Sequence, residues 1–236
     1  MRLRLALDPQ RYSLVQGTGG VGAFAPHALI RRLEIGGMGV LGWSVPLGPL
    51  PAIPRMVPPV AGLLGADLLS GFDVELDVPH RRLALHRIEP PASGCEQDVP
   101  RSWSGPFDTL PLRRSGNRLL TEVAVNGVRM TALVDSGALS ITVGDGAARR
   151  AGVTESELQR DPGGIGGGVD MRELPYHWHR FASLQIGREV IRNPVLTVSP
   201  LQEEADLLLG SPFFATRRVW LSYASGRMFV QPAVSQ

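Results

Sequence analysis

Short runs of alternating apolar and polar residues, separated by Gly, Pro and Asn, recur along the chain. The clearest run spans residues 123–134, where apolar positions alternate on both sides of Asn126-Gly127. Asn-Gly between two alternating runs predicts a β-hairpin, because both residues tolerate the positive φ angles of a type I′ turn. The pattern predicts an all-β chain with a few short helices. Further strands are expected at 107–114, 176–186 and 189–198, with short helices at 146–152 and 212–216 and a capping box at 154–157.

The second strand of this hairpin runs directly into Asp135-Ser136-Gly137-Ala138. A carboxylate at the end of a strand that is predicted to be buried is unusual, since burying an unpaired charge is costly. We therefore expect Asp135 to be hydrogen-bonded, paired with another group or functional.

An internal repeat indicates that one β-rich lobe occurs twice. Four blocks recur in the same order at an offset of 145 to 151 residues: 17–20 with 164–167, 33–36 with 184–187, 63–69 with 208–214, and 74–85 with 219–230. The stretch between the copies is rich in Pro, Ser and Gly and lacks periodicity, which is typical of a linker. The predicted organisation is a first lobe at 1–89, a linker at 90–106 and a second lobe at 107–236.

Several of these motifs resemble those of aspartic peptidases. The D-S-G-A sequence at 135–138 is similar to their D-[ST]-G-[AS] active-site loop, and L-L-L-G at 207–210 resembles the apolar segment beside it. The tail at 219–230 resembles the closing hairpin of bacterial retropepsin-like domains. The resemblance implies a bilobal acid-protease fold and peptide-bond hydrolysis by two carboxylates, without metal or cofactor. The implied site residues are Asp135 as a catalytic carboxylate, Ser136, Gly137 and Ala138 as loop support, Leu208, Leu209 and Gly210 beside the loop, and Gly164, Gly166 and Gly167 in a glycine-rich loop (163–168) that leads into a flap.

The second carboxylate of such a pair has no counterpart in the first lobe as printed. Residues 1–90 contain neither D-S-G nor D-T-G. Counting back by the repeat offset places the partner of Asp135 about a dozen residues before Met1. We expect it there or, in a homodimer, on a second chain. A catalytically inactive, peptide-binding module of the same fold is the alternative.

Composition excludes several other kinds of site. All 24 basic residues are Arg, so Schiff-base chemistry and a phosphate-binding P-loop lysine are absent from this chain. Cys95 is the only cysteine, and Arg residues occur at most in pairs, so neither a cysteine-rich zinc site nor a nucleic-acid stripe is expected. No apolar run is long enough to span a membrane. The expected partner is a peptide or protein substrate, bound by a monomer with two lobes or, failing that, by a homodimer. The compartment stays open: periplasmic or secreted if an upstream segment exists, otherwise cytoplasmic.

Two motifs suggest other chemistry but lack its context. G-T-G-G-V-G at 17–22 fits a dinucleotide-binding fingerprint, with a helix expected near 26–33, yet no acidic residue follows about 20 positions later. His177 and His179 would share one face of a strand, but no Cys or carboxylate at ligand spacing supports a metal site.

Overall fold

The structure, a computed structural model, describes residues 5–16, 22–48, 60, 62–88, 103–167, 173–201 and 204–232. The chain is all-β with a few short helices, as the alternating pattern predicts. The described strands are β1 (Ala6–Gln16), β2 (Gly22–Ile35), β3 (Met38–Pro46), β4 (Phe72–Asp77), β5 (Arg82–Arg87), β6 (Asp108–Pro111), β7 (Arg113–Ser115), β8 (Arg118–Val125), β9 (Val128–Val134), β10 (Thr142–Gly144), β11 (Gly163–Gly167), β12 (Glu173–Arg180), β13 (Ser183–Ile186), β14 (Glu189–Arg192), β15 (Val195–Ser199), β16 (Leu207–Leu209), β17 (Arg217–Ser222) and β18 (Arg227–Pro232). The described helices are α1 (Ala66–Leu69), α2 (Asp145–Arg150), α3 (Glu155–Leu158) and α4 (Ser211–Ala215).

The chain forms two compact units. The N-terminal unit comprises Met1–Leu63 and Ile165–Pro175, and the main unit comprises Leu64–Gly164 and Tyr176–Gln236. In the N-terminal unit, β1, β2 and β3 form an antiparallel three-stranded sheet. Its only buried side chains among the described residues are the small Ala25 and Ala28 and the polar His27.

The main unit holds most of the described hydrophobic core. A ten-stranded sheet has the strand order β11-β12-β15-β10-β16-β9-β8-β13-β14, with β7 also paired to β8. A second sheet has the order β5-β4-β17-β18-β6, and we call it the closing sheet. Apolar side chains from both sheets and from α2, α3 and α4 form one continuous cluster. The Asp135 loop is thus attached to a well-packed scaffold.

The Asn-Gly hairpin is confirmed. β8 and β9 pair antiparallel around Asn126 and Gly127, whose φ angles are 50° and 78°. The Asn126 side chain also accepts hydrogen bonds from the Ala182 and Ser183 N–H groups and donates one to the Ala151 carbonyl. A turn residue therefore also holds three segments of the main unit together.

The closing sheet joins strands that are far apart in sequence. β4 pairs antiparallel with β17, so that Val74 lies opposite Leu221 and Leu76 lies opposite Val219. At its midpoint Glu75 lies opposite Trp220. Each strand is followed by a hairpin partner, β5 for β4 and β18 for β17.

Some predicted element boundaries are wrong. The expected strand at 107–114 is interrupted at Leu112, the one at 176–186 at Phe181 and Ala182, and the one at 189–198 at Asn193 and Pro194. The backbone bends at Ala182 and Asn193, and Asn193 has a φ of 50°. Residues 163–167 of the expected glycine-rich loop form strand β11, whereas 168 lies outside the described residues.

Other elements match more closely. The two expected helices are α2 and α4, and the capping box at Thr154 is confirmed, with both reciprocal hydrogen bonds to Glu157 present. Residues 26–33, the helix that a dinucleotide fold would need, lie in strand β2. Residues 17–20 and most of the expected linker lie outside the described residues. No described helix has the length and apolar character needed to cross a bilayer.

Candidate active site around Asp135

The Asp135 loop connects β9 to β10 and passes over the end of β16, which lies between those two strands. β16 pairs parallel with β9, placing Leu209 opposite Val134, and antiparallel with β10, placing Leu208 opposite Thr142. The Asp135 N–H donates to the Leu209 carbonyl at 3.2 Å. The strand pairing thus brings the L-L-L-G segment and the loop together.

Gly210 allows this close approach. A Cβ at this position would stand 2.7 Å from the Ser140 carbonyl carbon and 2.8 Å from the Ala138 carbonyl oxygen, and closer still to the Ser140 oxygen. Real Cβ atoms do not approach backbone atoms so closely, so only Gly fits here. The next residue fastens the same loop, since the Ser211 N–H donates to the Ala138 carbonyl at 2.7 Å.

The loop is a tight turn that holds its own carboxylate. The Gly137 N–H donates to Asp135 Oδ1 at 3.0 Å, and the Ala138 N–H donates to the Asp135 carbonyl at 3.1 Å. Asp135 and Ala138 are partly buried, whereas Ser136 and Gly137 are exposed. Among the described residues, nothing hydrogen-bonds the Ser136 hydroxyl. The loop therefore presents a fixed carboxylate and an available hydroxyl at the surface of the main unit.

An apolar depression of about 420 Å³ adjoins the far end of the loop. Ser140 and Ile141 line it from the loop, Trp178 from β12, Thr197 from β15 and Pro212 from α4. Trp178 is 47 % exposed, so an indole face is available to a ligand. The depression is large enough to accept an apolar side chain.

The predicted flap glycines lie on β11, which is paired with β12. A Cβ on Gly164 would stand 2.9 Å from the Tyr176 hydroxyl, so the Tyr176 side chain lies across the backbone of this glycine. Gly166 and Gly167 fall in the part of β11 that belongs to the N-terminal unit. Their role in a substrate cleft stays a prediction.

The C-terminal half of β12 carries His177 and His179, and the fold brings other titratable groups close to them that the sequence pattern does not indicate. His179 Nδ1 lies 2.6 Å from Asp161 Oδ2, and His177 Nδ1 is buried with no hydrogen-bond partner among the described residues. Burial raises the pKa of the nearby Asp145 carboxyl, with a further rise from Glu155, and these outweigh the lowering by Arg149 and His177. No group of three or more His, Cys, Asp or Glu in the described residues could hold a metal ion. His-x-His spacing had suggested a shared face, but only the fold could place Asp161 beside it.

Comparison with known proteins identifies the region around the loop. Residues 121–213 match the family model described as aspartyl protease, and this stretch contains the Asp135 loop, β11 and β12, and β16 with Gly210. A search of curated protein sequences finds no match to the chain.

Solved structures similar to the chain include two retropepsin-like proteins and a plant globulin. A retropepsin-like aspartic protease from Rickettsia conorii is 18% identical, with a TM-score of 0.41, over 55% of this chain and 94% of that one. The retroviral protease-like domain of Ddi1 from Leishmania major is 18% identical, with a TM-score of 0.34, over 50% and 98%. Basic 7S globulin from soybean is 13% identical, with a TM-score of 0.43, over 88% of this chain and 66% of that one.

The TM-scores describe loose overall superpositions, so the family match is the finding that bears on the loop. It covers the strands that position Asp135 and the glycine on which the loop rests. The resemblance drawn from D-S-G-A and L-L-L-G is confirmed for this part of the sequence. Residues 121–213 are an aspartyl protease-like region within an all-β chain.

Proposed function

We propose that the chain is an aspartic endopeptidase in which Asp135 is one of two catalytic carboxylates. The observation that carries the proposal is the aspartyl protease match over a loop that presents a hydrogen-bonded, partly exposed carboxylate. Every predicted loop residue lies in one tight turn on a buried three-strand platform of β9, β16 and β10.

The chemistry needs two carboxylates that share one proton. The ionised member accepts a proton from water, whose oxygen attacks the scissile carbonyl carbon, while the protonated member hydrogen-bonds the carbonyl oxygen. Collapse of the tetrahedral intermediate breaks the C–N bond, and the leaving amine takes up a proton. Asp135 supplies one member, held by the Gly137 N–H. Residues 1–90 contain no D-[ST]-G that could supply the second.

The closing sheet supports two related lobes within one polypeptide. The 145-residue offset maps Val74 onto Val219 and Leu76 onto Leu221. In the sheet these four residues pair crosswise, Val74 with Leu221 and Leu76 with Val219. A local two-fold axis between Glu75 and Trp220 would exchange the two strands and preserve their register. α1 precedes β4 just as α4 precedes β17, which fits the same relation.

This arrangement also favours a monomer over a homodimer. β17 is paired on one side with β18 and on the other with β4 of the same chain. A second copy therefore has no free edge of β17 to which it could add its own closing hairpin. We expect the specific activity of the enzyme to be independent of dilution, whereas a homodimeric site would lose specific activity at low concentration.

The test measures peptide hydrolysis by two proteins: the 236-residue chain, and the product of the reading frame in which it lies. Asp135→Asn should reduce kcat/KM at least about 100-fold, the usual contribution of a general acid or base. Asp108→Asn is the matched control, because Asp108 is a main-unit carboxylate on β6 that pairs with Arg188. Equal hydrolysis by Asp135→Asn and the wild-type protein would remove Asp135 from the mechanism.

A peptide-binding module is the second candidate, favoured by the lack of a second D-[ST]-G in the first lobe. In that case no form hydrolyses peptides, and a peptide with an apolar side chain still changes the fluorescence of Trp178 in the depression. Trp178→Phe identifies the signal of this tryptophan among the four in the chain.

A further inference from the structure

We propose that the N-terminal unit carries a second reactive site, in which Ser13 is a nucleophile activated by His27. Ser44 and Asp8 orient the imidazole. The site uses none of the residues assigned to peptide hydrolysis, so it stands or falls independently of Asp135.

The strand register brings the four side chains onto one face of the three-stranded sheet. Asp8 lies opposite His27 across β1 and β2, and Ser13 lies opposite Ala25, one diagonal step away. On the other side of β2, Ser44 lies opposite Leu29, again one diagonal step from His27.

A break in the register of β1 makes this possible. Asp8 and Ser13 are five positions apart, so in a regular strand they would point to opposite faces of the sheet. The pairing of β1 with β2 shifts between Asp8 and Tyr12, which is the geometry of a β-bulge. The bulge returns Ser13 to the face that already holds Asp8 and His27.

The hydrogen bonds form a chain with only one direction. Ser44 Oγ lies 3.3 Å from Asp8 Oδ2, and because an ionised carboxylate can only accept, Ser44 donates to it. Ser44 Oγ therefore accepts from the Nδ1–H of His27, 3.0 Å away. This leaves the His27 Nε2 lone pair to accept the Ser13 hydroxyl proton across 2.7 Å.

That tautomer is the one a general base needs. A nucleophile in hydrogen-bond contact with a base, which is itself oriented by a third group, is the geometric signature of nucleophilic catalysis on unrelated folds. His27 is only 9% exposed, whereas Ser13 is half-buried. The base is thus shielded from water while the hydroxyl remains within reach of a ligand.

The reaction class is acyl transfer from an activated carboxylic ester. Ser13 Oγ bonds to the carbonyl carbon as its proton passes to His27 Nε2, and the ester C–O bond breaks as the leaving alcohol takes that proton. Water then attacks the acyl-serine, giving one proton to His27. The acid leaves as Ser13 Oγ recovers the proton.

The experiment treats the full chain with a fluorophosphonate probe and with p-nitrophenyl acetate. Mass spectrometry should find the probe on the peptide that contains Ser13 in the wild-type protein, a result that requires no variant. Ser13→Ala and His27→Gln should each lower the labelling and esterase rates at least about 100-fold. Asp135→Asn should leave both rates unchanged.

Variants of Ser44 test the relay, by which we mean the hydrogen-bond chain from Ser13 through His27 and Ser44 to Asp8. Ser44→Ala should lower both rates about tenfold or more, and Ser44→Thr should restore them because it keeps the hydroxyl. Ser115→Ala, which removes a partly buried hydroxyl bonded to Glu204, is the control for nonspecific labelling. Probe found elsewhere than on Ser13, or labelling equal in Ser13→Ala and wild type, would overturn the proposal.

Discussion

Gly210 offers the sharpest test of how the Asp135 loop is held. Its Cα faces the Ala138 and Ser140 carbonyls, and a methyl group there would stand 2.8 Å from the Ala138 oxygen, 2.7 Å from the Ser140 carbonyl carbon and closer still to the Ser140 oxygen. Ordinary contact begins near 3.4 Å, so in Gly210→Ala the loop backbone must recede by roughly 0.7 Å or more. Neither neighbour is a flexible side chain that could rotate away.

The expected cost follows from overpacking. Forcing an extra methyl into packed structure costs about 1–3 kcal/mol, and backbone on both sides points to the upper end. In a chain of this size each kcal/mol lowers Tm by about 2–4 °C, so Gly210→Ala should melt roughly 6–12 °C below the wild-type protein. Because a shift of about 1 Å in a catalytic group costs about 100-fold, hydrolysis should fall by tens to hundreds of times.

Thermal unfolding followed by circular dichroism measures the stability arm without assuming any activity. Gly146→Ala is the matched control in the same unit: Gly146 lies in α2, is exposed, and a Cβ there would meet only the Arg149 side chain at 4.0 Å. This substitution should raise stability by about 0.5–1 kcal/mol. If Gly210→Ala melts within about 1 °C of the wild-type protein, the contact between β16 and the loop is not what holds the loop in place.

Two further predictions concern the scaffold. Burial alone would raise the pKa of Glu75, but hydrogen bonds from His86 and Arg218 outweigh it and hold the pKa below its ordinary 4.5. A lowered folded-state pKa stabilises the protein above pH 4.5, and the stabilisation is lost as pH falls through the folded value. Tm of the wild-type protein should therefore drop as the pH is lowered into the acid range. Glu75→Gln should cost about 3–5 kcal/mol of stability at pH 7, and its Tm should fall less steeply with decreasing pH. A Tm that falls equally with pH in both proteins would contradict this. Asn126→Ala removes three hydrogen bonds and a residue that tolerates a φ of 50°. It should therefore lower the free energy of unfolding in urea by about 2–4 kcal/mol, and Asn126→Asp, which keeps an acceptor oxygen, should lower it clearly less. Equal losses in the two variants would refute the role of the acceptor oxygen.

Features decided by neighbouring residues could be predicted from the sequence. The turn at Asn126 depends on which residues tolerate positive φ, and the cap at Thr154 depends on a Glu three positions later. The Asp135 loop could be matched to the aspartyl protease motif because that motif occupies four consecutive residues. In each case the physical cause lies within about four consecutive residues.

Features decided by long-range pairing could not be predicted. Nothing local indicates that β16 inserts between β9 and β10, or that the strand expected at 176–186 breaks at Phe181. The relay through His27 is a stronger case, because alternation along β1 places Asp8 and Ser13 on opposite faces. Only the bulge, which depends on the pairing with β2, brings them together.

Glu75 shows how a distant strand reverses a local expectation. Alternation in β4 places Val74 and Leu76 inward and Glu75 in water, yet its side chain is fully buried. β17 supplies the reason, since Arg218 donates to Glu75 Oε1 at 2.6 Å from 143 residues away and Trp220 lies opposite. A buried carboxylate is tolerable only with such a partner, because an unpaired one costs several kcal/mol. The charge that ties β4 to β17 therefore favours a partner strand that carries a cation, since an apolar strand in place of β17 would remove Arg218 and leave Glu75 with His86 and the more distant Arg82.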